Sequence, residues 1–235
     1  VSADLIVLGL TWFVVFLFST TLHEAGHAFA AYKLGDPTAY EGGQVSLNPL
    51  PHIQREPVGM LIVPLITFAT SNGGWMMGWA SAPYDPEWAH RYPRRAAVMA
   101  LAGPIGNLIL VLTAGLLIRA GIALGVFYAP ASISFTEIVG ASEGWAQGVV
   151  APLSILFSLN LILFLFNLLP LPPLDGSAVL PMFMSTDTAR RYHAFLRQPM
   201  FSMLGLLLAW RIFGPIYAPL HLLALRLLYP GMGYQ

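Results

Sequence analysis

Residues Ser19–Ala30 read STTLHEAGHAFA, and they complete a run, LIVLGLTWFVVFLFSTTL (5–22), apolar enough to lie in lipid. His23, Glu24 and His27 thus bring three ionisable groups to the end of a predicted membrane helix. Such groups are costly in a bilayer and mark function there. His23 and His27 stand at i and i+4, so on a helix both project from one face, one turn apart. That spacing lets two imidazoles share one metal ion, with Glu24 beside them to take a proton from water. Imidazole and carboxylate donors in a hydrolytic site point to zinc, one Zn2+ per chain.

The composition agrees with a bilayer. Of 235 residues, 57% are apolar and only 9% charged, against about 25% charged in a soluble domain. The net charge is zero, which gives no footprint for nucleic acid. There is no cysteine, so neither a disulfide nor a thiolate ligand is available. The first run has no basic stretch before it and no cleavage-like break after it, so it reads as a retained span rather than a signal peptide. One polytopic membrane domain over 1–235 is expected, with a core at about 5–180 and a C-terminal membrane region at about 199–230.

Further apolar segments follow at Pro57–Thr70, Arg94–Ala120, Val149–Leu169 and Met200–Tyr229. Pro57–Thr70 is short and broken by Pro64, which suits a re-entrant course. The last segment, interrupted by Arg211, Gly214, Pro215 and Pro219, reads equally as one kinked helix or as a hairpin of half-spans. GGQVSLNP (42–49), with Val45 and Leu47 alternating, predicts a short β-hairpin near the site. TDTARRYHAFLRQ (186–198) predicts an interfacial helix. The fold class is therefore all-α integral membrane, about four to six transmembrane or re-entrant helices around a zinc site, with a small β-hairpin.

A catalytic zinc takes a third protein ligand and keeps one position open. Asp175, in FNLLPLPPLDGSAVL, is the best candidate: it is the only carboxylate between Glu143 and Asp187 and follows a span directly. An Asp-Gly pair also reads as a turn, and an unwound helix end can aim a carboxylate inward.

The motifs His23-Glu24-Ala25-Gly26-His27, Ala102-Gly103-Pro104, and Asn167-Leu168-Leu169-Pro170 running to Leu174-Asp175-Gly176 resemble the site-2 protease family of intramembrane zinc metalloproteases. GDPTA, SLNPLPHI and AGPIGN are similar to a compact bacterial or archaeal branch without PDZ or CBS domains. Gln54 departs from that branch, which usually carries aspartate there. The resemblance implies that His23, His27 and Asp175 hold zinc, that water on the zinc is the nucleophile, and that Glu24 is the catalytic base. Asn167 would hydrogen-bond the substrate backbone or the oxyanion, with an interhelical hydrogen bond between packed helices as the equally weighted reading. Asn160 and Asn107 are candidates for the same role, against an ordinary reading as helix-packing residues. Val45 and Ser46 would hold an unwound substrate as an added strand. The implied partners are transmembrane segments of membrane-protein substrates within the lipid bilayer. A zinc-binding scaffold, a permease and a catalytically silent chaperone are the alternatives.

The metal also constrains topology. For His23, His27 and Asp175 to reach one ion, the first span and Val149–Leu169 must run parallel, and Pro57–Thr70 must return to the side it left. Lys33, Arg55, Arg91, Arg94, Arg95, Arg190, Arg191 and Arg197 then share one side, with Arg119 on the other. The positive-inside rule makes the metal end cytoplasmic and the N-terminus external.

Overall fold

The computed structural model describes residues 2–196 and 198–234; Arg197, one of the charges just counted, lies outside the described residues. Among the described residues, ten α-helices follow in chain order. The first five are α1 (Ala3–Lys33), α2 (Thr38–Glu41), α3 (Pro49–Arg55), α4 (Val63–Thr70, entered through a π-helical turn at Val58–Ile62) and α5 (Pro86–Arg91). Then come α6 (Pro93–Ala123), α7 (Trp145–Asn167), α8 (Asp175–Val179, continued by a 3-10 turn at Leu180–Phe183), α9 (Thr186–Leu196) and α10 (Pro199–Leu228). Four of these, α1, α6, α7 and α10, are long and apolar enough to cross a membrane.

The register of the central three helices follows from their contacts. Gly26 packs against the backbone of Ala102, and Leu22 against Gly106, so α6 runs antiparallel to α1. Trp12 and Phe16 share a buried cluster with Ile155 and Leu159, while Ser19 is bonded to Asn160 higher up, so α7 runs parallel to α1. A second core joins Ala114 and Ile118 of α6 to Leu153 and Phe157 of α7 and to Leu225 and Leu228 of α10. α10 is a single helix through both Pro215 and Pro219. Proline is tolerated in that setting when neighbouring groups relieve the freed carbonyls.

The segment after α3 descends along α1 and climbs back. Phe68 of α4 touches Gly9, and Gly73 touches Leu5, near the start of α1. Residues 75–85 then return without regular structure, passing Phe16 at Gly78 and reaching Asp36, whose Oδ2 accepts the Asp85 N–H at 2.8 Å. The segment thus leaves the end of α1 that carries Asp36 and comes back to it. Non-helical backbone at that depth needs internal partners. Thr67 Oγ1 accepts from Met77 N at 3.1 Å, Ser71 Oγ accepts from Trp75 N at 3.2 Å, and the Gly59 carbonyl accepts from Trp79 N at 3.1 Å.

The predicted β-hairpin is not there: among the described residues no strand is formed, only isolated bridges Tyr128↔Gly140 and Ser134↔Glu137 in the loop after α6. The Gly-Gly pair instead ends α2, with Gly43 at φ +74° and its N–H on the Tyr40 carbonyl. Asn48 caps α3 by accepting from Leu50 N at 3.0 Å, and Ser46 Oγ accepts from Asn48 N at 3.1 Å. Between two helix ends, Val45 and Ser46 have neither the length nor a partner for a strand. Gln44 and His52, both buried, secure the turn: His52 Nε2 donates to the Ser46 carbonyl and Gln44 Nε2 to the Ser81 carbonyl, each at 3.1 Å.

Candidate metal centre

His23 and His27 are carried by α1 where Gly26 lies against the Ala102 backbone of α6, and both are buried together with Glu24. Each imidazole is fixed from behind. His27 Nδ1 lies 2.8 Å from the Met99 carbonyl, which can only accept, so Nδ1 carries the proton. His23 Nδ1 lies 2.6 Å from Asn107 Oδ1. The two Nε2 atoms therefore face each other, 3.0 Å apart.

Asp175 joins them from the far side. After α7 ends at Asn167 the chain turns through residues 168–174, and Asp175 opens α8. Its Oδ2 is 3.1 Å from His23 Nε2 and its Oδ1 3.3 Å from His27 Nε2. Glu24 completes the cluster: donor atoms of His23, Glu24 and His27 all lie within 4.8 Å of one another.

This donor set fits a divalent metal on three counts. Asp175 Oδ2 is buried with no hydrogen-bond donor, although buried carboxylate oxygens are ordinarily satisfied. Two imidazole nitrogens and a carboxylate at mutual distances near 3 Å repel through their lone pairs; a proton can bridge two of them, whereas a dication serves all three. Finally, α6 leaves room. A Cβ on Gly103 would stand 2.3 Å from His27 Nε2 and 2.6 Å from His23 Nε2, so only glycine keeps the space between the rings clear.

The sequence model of peptidase family M50 matches residues 11–209, from the first span through all four acidic and imidazole groups of the site. The chain belongs to peptidase family M50, the site-2 protease family. Among M50-type relatives, it is 36% identical over 168 residues to a Bacillus subtilis (strain 168) protein named "Putative zinc metalloprotease YwhC", covering 71% of this chain and 66% of that one. It is 30% identical over 174 residues to the Mycolicibacterium smegmatis "Putative zinc metalloprotease Rip2", covering 74% of this chain and 57% of that one. The chain thus spans less than two thirds of the length of these curated relatives. No solved structure matches it.

Within this M50 chain the other candidate residues separate. Asn107 and Asn160, both fully buried, bond to each other and to the metal helix rather than lining an open space. Asn167, partly buried, donates back to the Leu163 carbonyl of its own helix at 3.0 Å. Val45 and Ser46 sit in the turn between α2 and α3. The Met99 carbonyl could not be read from the sequence, because a backbone atom carries no residue signature. Ser19 could have been noticed as a hydroxyl one turn before His23 on the same helix.

Proposed function

We propose that this chain is an intramembrane zinc metalloprotease that hydrolyses peptide bonds within or near the transmembrane segments of membrane-protein substrates. The observation that supports this most directly is the convergence of His23, His27 and Asp175 on one point among membrane-spanning helices, with Glu24 alongside. His23 Nε2, His27 Nε2 and an Asp175 oxygen would hold the ion. Zinc, when bound, acidifies water and polarises a carbonyl. Glu24 would take the proton from the attacking water and deliver it to the leaving amine. A substrate helix hides its peptide bonds in its own hydrogen bonds, so helix-breaking residues near the cut should favour cleavage.

Metal content tests the reading. Purified wild type is expected to hold about one zinc per chain, as a site of this donor set does, and Asp175→Ala to lose it. Zinc retained unchanged in the variant would remove Asp175 from the ligand set, and no zinc in either protein would remove the hydrolase reading.

The charge distribution supports an orientation with the metal end in the cytoplasm. Lys33 ends α1, Arg94 and Arg95 begin α6, and Arg190 and Arg191 lie on α9, all at that end. Arg119 reaches the Leu228 carbonyl at the other. Because the chain has no cysteine, single cysteines report cleanly. Ser2→Cys is expected to label with an impermeant maleimide from outside intact cells and Arg191→Cys only after lysis; the reverse pattern would invert the orientation.

A further inference from the structure

Behind His23 lies a buried polar chain that crosses three helices. Asn107 Oδ1 of α6 sits 2.6 Å from His23 Nδ1; Asn107 Nδ2 is 2.8 Å from Asn160 Oδ1 of α7; Asn160 Nδ2 is 2.8 Å from both Ser19 Oγ and the Leu156 carbonyl. Ser19, Asn107 and Asn160 are each 0% exposed. Amides and imidazoles can each be turned to present donor or acceptor. Here one end has no choice. The Leu156 carbonyl can only accept, so Asn160 must offer its NH2 there and its oxygen to Asn107. Asn107 must then offer its NH2 to Asn160, which leaves its oxygen for His23. A second carbonyl, that of Ser19 at 3.5 Å from Asn107 Nδ2, favours the same sense. His23 must therefore carry its proton on Nδ1.

We infer that the Leu156–Asn160–Asn107 relay is a positioning device that locks His23 in the tautomer and ring orientation with Nε2 open to the metal. This rests on the zinc reading above and goes beyond it in assigning a role to residues that do not touch the ion. A ligating imidazole whose other nitrogen is bonded is both oriented and more basic, and loss of such a partner typically costs about 10–100-fold in metal affinity. The bland alternative is that the two amides only hold α6 to α7, as polar side chains do between membrane helices. The two roles differ in what the second oxygen of an isosteric carboxylate can do.

Zinc affinity by competition with a chromophoric chelator decides between them, on detergent-solubilised full chain, for wild type, Asn107→Leu and Asn107→Asp. Both variants lose the Asn107 NH2 and hence its bond to Asn160. Only Asn107→Asp keeps an acceptor toward His23 Nδ1. The relay predicts about 10–100-fold weaker zinc binding for N107L and near-wild-type binding for N107D. Equal losses in the two variants, or none in N107L, would overturn it. Zinc missing from wild type would instead defeat the zinc reading itself. Should N107L not fold, Asn160→Leu keeps the His23 partner but frees its amide to turn, and a several-fold loss is expected; unchanged affinity there would also overturn the relay. The visible spectrum of the cobalt-loaded proteins gives a second readout, shifted in N107L and preserved in N107D.

Discussion

Gly103→Ala is expected to strip the metal from a chain that still folds. The added methyl would stand 2.3 Å from His27 Nε2 and 2.6 Å from His23 Nε2, far inside van der Waals contact. Those nitrogens are the far ends of side chains, so the backbone need not move; the rings must. Yet each ring is held at Nδ1, one by Asn107 and one by the Met99 carbonyl. Swinging aside breaks one of those bonds and turns a ligand away from the ion. Overpacking of this kind costs about 1–3 kcal/mol of stability, which a membrane bundle can absorb. A displacement near 1 Å at a catalytic centre costs about 100-fold in rate, and here it falls on the ligands themselves. The expected result is a small shift in melting temperature together with loss of stoichiometric zinc and of cleavage. Wild-type zinc content in the alanine variant would show that the rings accommodate a methyl and that the gap is not a metal cradle.

Much of this site was legible because its chemistry is written in side chains. His23, Glu24 and His27 suggest a metal by spacing, the scarcity of carboxylates late in the chain left Asp175 as the candidate partner, and the fold brings Asp175 to both imidazoles. The demand that the histidines and Asp175 reach one ion then implied parallel α1 and α7, which is how they lie, and a Pro57–Thr70 that returns by itself; instead that segment runs down to the start of α1 and residues 75–85 make the return. The failures have equally specific causes. Gly42-Gly43 followed by Val45 and Leu47 looked like a hairpin because the glycine that ends a helix and the glycine that turns a hairpin are the same residue meeting the same need for positive φ. The course of Met200–Tyr229 stayed open because prolines break helices in water but are tolerated among packed spans. The amide relay could not be ordered at all: its sense comes from the Leu156 carbonyl, a group every residue shares.

Glu24→Gln should separate catalysis from metal binding. The amide keeps the volume and buried position of the carboxylate but can no longer accept a proton at neutral pH. General-base catalysis contributes about 10^2–10^4-fold, so cleavage of a membrane-embedded substrate is expected to fall by that factor while zinc content stays near wild type. The pairing with Asp175→Ala matters, because Glu24 also has its carboxylate within 4.8 Å of the imidazole nitrogens and could in principle be the third ligand. Asp175 is nearer, at 3.1 and 3.3 Å, and reaches the two nitrogens with different oxygens; Glu24, one residue along the helix from His23, projects about 100° away from it. If Glu24 were the ligand, E24Q would lose zinc and D175A would keep it. The geometry predicts the opposite: D175A without zinc and inactive, E24Q loaded and inactive. That pattern, measured as zinc per chain and product formed on the same preparations, is the signature of a base working beside a metal held by two histidines and an aspartate.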